Sequence, residues 1–460
     1  MLFHSTRGKD NNKTFEEILM QGLANDGGLF MPDYWPEVDL DNLKNLDNFI
    51  DVAKKIVPLF TDSSFTNIEV EHLLDRTWHN FDKKDFIDIF EINESVSILE
   101  LFHGPTAAFK DFGLQLAAAF FNKTLQKQKK TAIVFGATSG DTGSAAIDAC
   151  KEFDLIKTFI LIPEGNMSEI QRKQMTTVHK DNVFPILASG TFDDCQDIVK
   201  RGFNERTFLK DDQYLLAVNS INWVRIIGQI CYYFYVSLKI NNLSSPLNFS
   251  VPTGNFGNVF ACYAASKMGM PLSKIIVAVN SNDILDRFFR NNDYSKEKVN
   301  ETISPSMDIS VASNFERLLY DFYFEGDTKV CSQLYSNFPN SKIEIDSNIW
   351  KKSSQLFISY SSDDKATYEC MKYYFNNFNY VMDPHTAVAA DAVNKLNDKL
   401  DGKTIILSTA DPAKFPLALK NAGLPPSLPN KLSRILDKKE VAHRLSSKDD
   451  SIFEFIKNNN

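Results

Sequence analysis

The sequence lacks the features that mark secreted, zinc-binding and membrane proteins. Its six cysteines include no CxxC pair and no cluster with histidine, so neither a disulfide framework nor a metal site is predicted. The longest apolar stretch, IIGQICYYFYVSL at 226–238, contains a glutamine and is too short to cross a bilayer. The first residues, MLFHSTRGKDNNKTF, have no basic start leading into an apolar segment. We therefore expect a cytoplasmic protein with reduced thiols and no membrane partner.

Positive charge is also scarce. The formal net charge is −9, with 50 Lys and Arg against 59 Asp and Glu. A nucleic-acid phosphate backbone would be repelled by such a chain unless it had a strong basic patch. The densest basic run, QKQKK at 126–130, is short and is typical of a solvated helix end. The sequence thus predicts no nucleic-acid partner.

What the sequence does have is a regular alternation of strand-like and helix-like segments. Its 460 residues, 43% of them hydrophobic, are enough for two or three domains with well-buried cores. Six continuous apolar runs read as buried strands: 131–136, 157–163, 182–188, 247–254, 274–280 and 403–409. Apolar strands separated by helices of ten or more residues are typical of parallel sheets covered on both faces. The prediction is an α/β fold.

Composition divides the chain into three parts. Residues 1–95 are predicted to form a mainly helical N-terminal domain, since they are rich in Asp and Asn and contain few strand-like runs. The polar segment INNLSSPLN at 240–248 follows a long apolar helix and precedes the next strand. We therefore expect one α/β lobe over 96–242 and a second over 243–460.

Two strand-to-helix turns are rich in glycine. The first is FGATSGDTGSAA at 135–146, and the second is VPTGNFGNVFA at 251–261. Peptide N–H groups at a helix N-terminus bind anions well, and glycine lets the backbone approach a ligand closely. Neither turn has the spacing of a dinucleotide or nucleoside triphosphate loop. The second turn contains no Lys or Arg, which suits a phosphate that stays bound.

A single lysine, Lys110 in HGPTAAFKDF at 103–112, lies near a predicted helix start among apolar residues. A lysine that is desolvated there, close to another cation or a helix dipole, has a lowered pKa and becomes a nucleophile. It can then form a Schiff base with an aldehyde cofactor whose phosphate rests in a glycine-rich turn. From composition and spacing alone, an ordinary solvated lysine remains an open alternative.

A series of longer motifs resembles one enzyme family. The motifs, in chain order, are STRG, GLANDGGLFMP, FHGPTAAFKDF, GATSGDTGSAA, NSINWVRIIGQ, VPTGNFGNVFA, SPSMDIS, DPHTAVA and STADPAKF. Together they are similar to those of the threonine synthases, in the longer microbial and fungal class. That family has fold type II, the tryptophan synthase β-like fold, with the active site between two α/β lobes.

The resemblance implies that pyridoxal 5'-phosphate is the cofactor. It implies that Lys110 binds the cofactor covalently and later moves protons. It implies that Thr409 faces the pyridine nitrogen and that Asp141 borders the cofactor. The implied phosphate-gripping residues are Gly254, Asn255, Phe256, Gly257 and Asn258.

The resemblance also implies the reaction, which converts O-phospho-L-homoserine and water into L-threonine and phosphate, the last step of threonine biosynthesis. The residues implied to clasp the substrate α-carboxylate are Ser139, Gly140 and Thr142. Those implied to face the substrate phosphate are Asn219, Ser220 and Arg225. Arginine suits this role because its planar fork donates two parallel hydrogen bonds to a phosphate. The long class of the family implies a monomer.

Several points remain open at this stage. A drifted phospho-lyase or dehydratase that makes a keto acid, or a non-catalytic ligand-sensing relative, would share the same motifs. Family members commonly have His where this chain has Asp411, and we interpret the change as drift in residues that do not touch the ligand. The open alternative is that this carboxylate changes the electrostatics near the cofactor ring and favours a protonated pyridine. His103 and His385 are interpreted as structural, and Trp223 as core packing.

Overall fold

The structure is a computed structural model that describes residues 1–83, 85–165, 167–447 and 450–460. Its strands are β1 (Phe3–Ser5), β2 (Phe30–Pro32), β3 (Asp88–Glu91), β4 (Val96–Glu100), β5 (Thr131–Ala137), β6 (Ile156–Pro163), β7 (Val183–Ser189), β8 (Gln213–Leu216), β9 (Leu247–Pro252), β10 (Leu272–Val279), β11 (Phe357–Ser361), β12 (Thr404–Ser408) and β13 (His443–Ser446).

The helices follow the same order along the chain. The first ten are α1 (Phe15–Gln21), α2 (Leu40–Leu43), α3 (Phe49–Ile56), α4 (Pro58–Thr61), α5 (Asn67–Thr77), α6 (Lys110–Gln128), α7 (Asp141–Cys150), α8 (Glu169–Thr176), α9 (Phe192–Glu205) and α10 (Trp223–Asn241). The others are α11 (Gly257–Lys267), α12 (Ile284–Asn291), α13 (Phe315–Leu318), α14 (Thr328–Asn337), α15 (Ser347–Lys351), α16 (Asp364–Phe378), α17 (Pro384–Leu396), α18 (Pro416–Asn421), α19 (Asn430–Leu436) and α20 (Ser451–Asn459). Short 3-10 or π turns lie at Pro305–Met307, Leu319–Tyr323, Lys352–Gln355, Asn397–Lys399 and Pro412–Lys414.

Two parallel-rich sheets form the two lobes, as the α/β prediction requires. The smaller has the order β13-β7-β6-β5-β8, and all of its pairs are parallel. The larger has the order β11-β10-β9-β12-β4-β3 and is parallel except for the edge pair β3–β4. Helices pack on both, with α9 on β5 and β6 and α17 on β9, β10 and β12. Their central strands, such as β5, β9 and β12, are buried on both faces, which explains the continuous apolar runs in the sequence.

Two strands, β4 and β13, each belong to a sheet whose central strands lie far from them in the sequence. The strand β4 pairs with β12 in the larger sheet, although it precedes the segment that builds the smaller one. The strand β13, close to the C-terminus, pairs with β7 in the smaller sheet. Both lobes are therefore built from more than one stretch of chain. The division at 95 and 242 stays a prediction, with these two strands exchanged between the lobes.

The helices α6 and α10 cross at a point where both carry glycine. A Cβ on Gly113 would lie 3.0 Å from the Cα and the carbonyl oxygen of Arg225, and one on Gly228 would lie 3.0 Å from Gly113 Cα. Only glycine permits backbones to approach this closely. The contact sets the start of α10, which carries Arg225, beside the first turn of α6, which begins at Lys110. No helix in the described part of the chain combines the length and apolar character needed to cross a bilayer.

Candidate active site

Lys110 is the first residue of α6, as the sequence predicted, and the preceding loop is fastened by the next residue. The Asp111 carboxylate accepts hydrogen bonds from the Thr106 N–H (2.9 Å) and the Thr106 hydroxyl (2.6 Å). Gly104 is required because a Cβ there would lie 2.4 Å from Asp111 Oδ2. Burial raises the pKa of Asp111 to about 7. This tight turn fixes the point from which the Lys110 side chain starts.

The Lys110 side chain is only 12% exposed, and its amine points at two polar groups. Its Nζ donates to Asp141 Oδ2 and to Ser306 Oγ, each at 3.2 Å. Burial lowers the pKa of Lys110, and this outweighs the opposite effect of the Asp141 carboxylate. The positive charges of Lys414 and Arg225 lower the same pKa further. The chemistry predicted for this residue requires such a desolvated amine.

Asp141 is the central acceptor of the site. It begins α7, directly after Gly140, whose φ of +146° is one that a residue with a side chain rarely adopts. Its Oδ1 accepts from Gln171 Nε2 at 3.0 Å and lies 2.7 Å from Lys414 Nζ. Burial alone would raise the pKa of Asp141, but Lys110 and Lys414 hold that pKa well below its usual value. The carboxylate is therefore ionised.

Asp411 caps the short turn that carries Lys414. Its carboxylate accepts a hydrogen bond from the Ala413 N–H at 2.9 Å, and burial raises the pKa of its carboxyl group. The residue before it in the chain, Ala410, forms a bridge with Ala108, and the Thr409 carbonyl accepts from the Phe109 N–H at 2.9 Å. Thr409 is thus buried beside the residues that precede Lys110, and its role at the pyridine nitrogen stays a prediction.

The second glycine-rich turn connects β9 to α11, as expected. Phe256 precedes the helix with a positive φ of 64°, and Gly254 has no room for a side chain because a Cβ would lie 2.7 Å from the Ser306 carbonyl oxygen. The side-chain amide oxygen of Asn258, Oδ1, accepts hydrogen bonds from the hydroxyls of Tyr232 (2.5 Å) and Tyr233 (2.7 Å). Among the described residues, Asn258 Nδ2 is buried without a hydrogen-bond partner. This amide group is therefore able to donate a hydrogen bond to a bound acceptor.

Arg225 is a buried cation whose charge is not neutralised by the protein. The residue is 4% exposed, and its Nη1 donates to the Val218 carbonyl oxygen at 3.3 Å. Its Nε has no partner, and no salt bridge to it is found in the described ranges. Burial lowers the pKa of Arg225 to about 10, so the group is still charged at neutral pH. A buried cation of this kind is expected where an anionic ligand binds.

The other residues implied for the substrate differ in their exposure to solvent. Asn219 and Ser139 are exposed, and Thr142 is half-buried. Ser220 Oγ lies 3.1 Å from Ser313 Oγ, and Ser313 in turn donates to Asn255 Oδ1 at 3.1 Å. The segment that precedes α10 is thereby linked to the glycine-rich turn of the other lobe. The individual substrate contacts stay predictions.

His385 does not reach Lys110 directly, but it holds a residue that does. Its Nδ1 lies 2.7 Å from Asp383 Oδ1, and the Ser306 N–H donates to its Nε2 at 3.2 Å. His103 contacts Glu100 Oε2 at 2.9 Å instead, and Trp223 is a fully buried core residue. All three positions agree with the structural roles expected from the sequence.

Three residues of the site were missed by the sequence analysis: Gln171, Ser306 and Lys414. Ser306 and Lys414 lie in SPSMDIS and STADPAKF, two motifs that resemble the family's but indicate no role for these side chains. Lysine is almost never fully buried unless it is paired. A lysine five residues after the apolar strand-like run at 403–409 was therefore a usable signal. Gln171, within an amphipathic helix, offered no signal.

The residues present fit pyridoxal phosphate. A buried amine with a lowered pKa, a glycine turn that a Cβ would fill and an unpartnered amide donor at Asn258 are three independent requirements of that cofactor. The buried, unneutralised Arg225 supplies a second anion site, distinct from the glycine turn. Two anion sites beside one activated amine match an amino-acid substrate that carries its own phosphate.

Comparison with known sequences gives the same answer over the whole chain. The profile described as "Threonine synthase N terminus" matches residues 2–78, "Pyridoxal-phosphate dependent enzyme" matches 91–332, and "Threonine synthase, C-terminal" matches 386–456. The chain is 40% identical to the threonine synthase of Pseudomonas aeruginosa over 96% of its length and 94% of that protein. It is also 40% identical to that of Saccharomyces cerevisiae, over 92% of this chain and 89% of the yeast protein.

Comparison with solved structures agrees. The crystal structure of threonine synthase from Brucella melitensis with bound pyridoxal phosphate superposes with a TM-score of 0.95 at 35% identity, covering 100% of this chain and 99% of that one. The yeast threonine synthase structure gives a TM-score of 0.91 at 38% identity, covering 99% of this chain and 97% of that one. The fold, the cofactor and the catalytic class predicted from the sequence are confirmed.

Proposed function

The chain belongs to the threonine synthase family of pyridoxal-phosphate-dependent lyases, and from this premise we propose how its residues make L-threonine and phosphate from O-phospho-L-homoserine and water. The proposal depends on one observation. The buried Lys110 amine, with a lowered pKa, lies 3.2 Å from the ionised Asp141 carboxylate, close to a buried Arg225 that has no carboxylate partner among the described residues.

The cofactor is held by four groups of residues. Lys110 would bind it covalently, and Asp141 would lie beside it. The turn from Gly254 to Asn258 would hold its phosphate, with Asn258 Nδ2 as a side-chain donor. Thr409 would interact with its pyridine nitrogen. When bound, pyridoxal phosphate supplies an electron sink that stabilises the charge left on the substrate when a proton is removed.

Arg225 binds the phosphate of the substrate, together with Asn219 and Ser220. Its guanidinium is desolvated, so its attraction to an anion is stronger than it would be in water. The close crossing of α6 and α10 fixes the backbone that carries this side chain. The α-carboxylate of the substrate lies against Ser139, Gly140 and Thr142, where the start of α7 offers peptide N–H groups. The two ends of the substrate are thereby fixed relative to Lys110.

Lys110 moves the protons. With its pKa lowered by burial, the amine is more readily neutral, and its Nζ removes the proton from the substrate Cα. Lys110 or a neighbouring group then removes a proton from Cβ, and the phosphate leaves from Cγ while Arg225 holds it. Water adds its hydroxyl at Cβ and gives its remaining proton to the released phosphate. The two protons taken from Cα and Cβ are returned to Cα and to Cγ, which becomes the methyl group of threonine. Asp141 and Ser306 hold Lys110 Nζ on a defined path between these positions.

Product analysis of the purified full chain tests this function. We expect an absorbance band from the lysine-bound cofactor and, after addition of O-phospho-L-homoserine, equal amounts of threonine and phosphate. Borohydride reduction should fix the cofactor on the peptide that contains Lys110, and Lys110→Ala should abolish turnover. A main product of 2-oxobutanoate would establish the phospho-lyase alternative, and labelling of another peptide would refute the role of Lys110.

The chain is further proposed to act alone in the cytoplasm. All six cysteines are buried and free, which suits a reducing compartment. The net charge of −9 disfavours a nucleic-acid partner, and the family resemblance supports a monomer. Light scattering of the purified protein at micromolar concentration measures the mass directly, and the mass of a dimer would refute the monomer.

A further inference from the structure

Lys414 is a buried charge near Lys110 to which the mechanism above gives no task. Its side chain is completely buried at the end of the turn Pro412–Lys414. Its Nζ lies 2.7 Å from Asp141 Oδ1 and donates to the Thr106 carbonyl oxygen at 2.9 Å. Thr106 belongs to the loop that precedes Lys110. The Lys414 ammonium therefore connects the carboxylate that faces Lys110 with the loop that carries Lys110.

Asp141 shares its two oxygens between two lysines. Its Oδ2 faces Lys110 Nζ at 3.2 Å, and its Oδ1 faces Lys414 Nζ at the shorter distance of 2.7 Å. The Gln171 amide also donates to Oδ1, at 3.0 Å. One buried negative charge is thus matched against two positive charges, and the tighter contact is with Lys414.

This arrangement matters when Lys110 gives up its own charge. A neutral Lys110 no longer balances the Asp141 carboxylate. A buried carboxylate without a cation is costly and would take up a proton. Since Lys414 is not involved in the chemistry, its ammonium remains in place and keeps Asp141 ionised.

We propose that Lys414 is a positioning residue, which holds the Asp141 carboxylate ionised and in place so that Lys110 is able to lose its proton without leaving a buried anion unbalanced. This inference rests on the proposed role of Lys110 as the proton-transferring amine. It assigns to Lys414 a task that needs its charge and its position but no contact with the substrate.

Three charged groups, each on a different element, influence the pKa of Lys110. Asp141 faces it from the start of α7, Lys414 from the turn after β12, and Arg225 from α10. Asp141 is itself affected by Lys110, Lys414 and His385. Removing the charge of Lys414 alone leaves the attraction of Asp141 for the Lys110 proton and removes one of two opposing cations.

The test compares the full chain, freed of cofactor, with Lys414→Met and Lys414→Arg. The rate at which acetic anhydride labels Lys110 is followed against pH by peptide mass spectrometry, which gives the midpoint of its titration. In Lys414→Met we expect this midpoint to rise by about 1–3 pH units, the usual effect of a nearby charge. In Lys414→Arg, which keeps the charge, we expect it to stay close to the wild-type midpoint.

Lys431→Met is the matched control. Lys431 Nζ donates to the Gly104 carbonyl oxygen at 2.9 Å and pairs with Asp82 at 2.6 Å. It therefore fastens the same loop without touching Asp141, and its removal should leave the Lys110 midpoint unchanged. If Lys414→Met does not yield folded protein, Lys414→Gln keeps a donor for Thr106, lacks the charge and should show the same rise.

The outcomes distinguish a wrong role for Lys414 from a wrong role for Lys110. An unchanged Lys110 midpoint in both uncharged variants overturns the role of Lys414 and leaves the proposed function intact. A rise of equal size in Lys431→Met also overturns it, because the effect would then come from the loop. If wild-type Lys110 titrates like an ordinary exposed lysine, the proposed role of Lys110 itself is wrong.

Discussion

Removing the charge of Arg225 should make the free enzyme more stable and less able to bind its substrate. Burial lowers the pKa of Arg225 from 12.5 to about 10, and one pKa unit corresponds to about 1.4 kcal/mol. A basic group with a lowered folded pKa destabilises the protein at every pH below that value, so the cost at neutral pH is about 3 kcal/mol. Arg225→Met loses one hydrogen bond, to Val218, worth about 1 kcal/mol. The expected net gain is roughly 2 kcal/mol.

Urea unfolding of the holoenzyme in phosphate-free buffer measures this gain. Inorganic phosphate should raise the unfolding midpoint of wild type, because an anion at Arg225 binds only the folded state, and it should leave Arg225→Met unaffected. Cofactor occupancy should be equal in both. A variant less stable than wild type, or one still protected by phosphate, would contradict the reasoning.

Arg317→Met is the matched control, since Arg317 is also completely buried. Burial lowers the pKa of Arg317 to about 9. Unlike Arg225, however, it donates to the carbonyl oxygens of Phe30 (3.1 Å) and Ile221 (2.6 Å) and to Asn314 Oδ1. By the same conversion, its removal relieves a burial cost of about 5 kcal/mol, but it leaves three acceptors buried and unsatisfied, at roughly 1–3 kcal/mol each. We therefore expect no gain in stability in the same urea experiment. Equal changes in the free energy of unfolding of the two variants would show that burial alone, and not hydrogen bonding, determines the effect of removing a buried arginine.

Three further substitutions test the packing around Lys110. Gly113→Ala places a methyl group 3.0 Å from the Arg225 backbone and should cost about 1–3 kcal/mol in urea unfolding; full stability would mean that the crossing is looser than described. Gly254→Ala puts a Cβ 2.7 Å from the Ser306 carbonyl oxygen and should weaken pyridoxal-phosphate affinity about tenfold, which a fluorescence titration measures and an unchanged Kd would contradict. Burial raises the pKa of Asp111 from 3.8 to about 7, so the folded state keeps a proton that the unfolded state has lost, and stability falls as pH rises between these values. Asp111→Asn should lack this fall when urea unfolding at about pH 5 and pH 7 is compared, and an equal fall in both proteins would refute the assignment.

The strands that the sequence predicted well are those buried on both faces. The run at 131–136 became β5, and the run at 403–409 became β12, shortened by a residue at each end. Such strands read as continuous apolar segments because helices cover both sides of the sheet. The strand β13, with the sequence HRLS, carries no such signal: it lies at an edge and is held by its pairing with β7. Edge pairing between segments far apart in sequence leaves no local pattern to detect.

For the site, motifs identified single positions but not the contacts between them. Lys110, Asp141 and Arg225 were each named from the sequence, and the structure brings them together. In STADPAKF the position that departs from the family is Asp411, and the motif itself indicates no partner for Lys414. The partner of Lys414 is Asp141, far away along the chain and in another element. Charge balance across such distances follows from the fold and is not written in any one motif.

The position of β12 has a consequence for the order in which the larger sheet forms during protein synthesis. That strand lies between β4 and β9, so the middle of the larger sheet is synthesised after both of its flanks. Until Thr404–Ser408 has left the exit tunnel, β4 and β9 each expose an unsatisfied, apolar edge. The larger sheet is therefore completed only near the end of translation, and until then these two edges are open to non-native pairing.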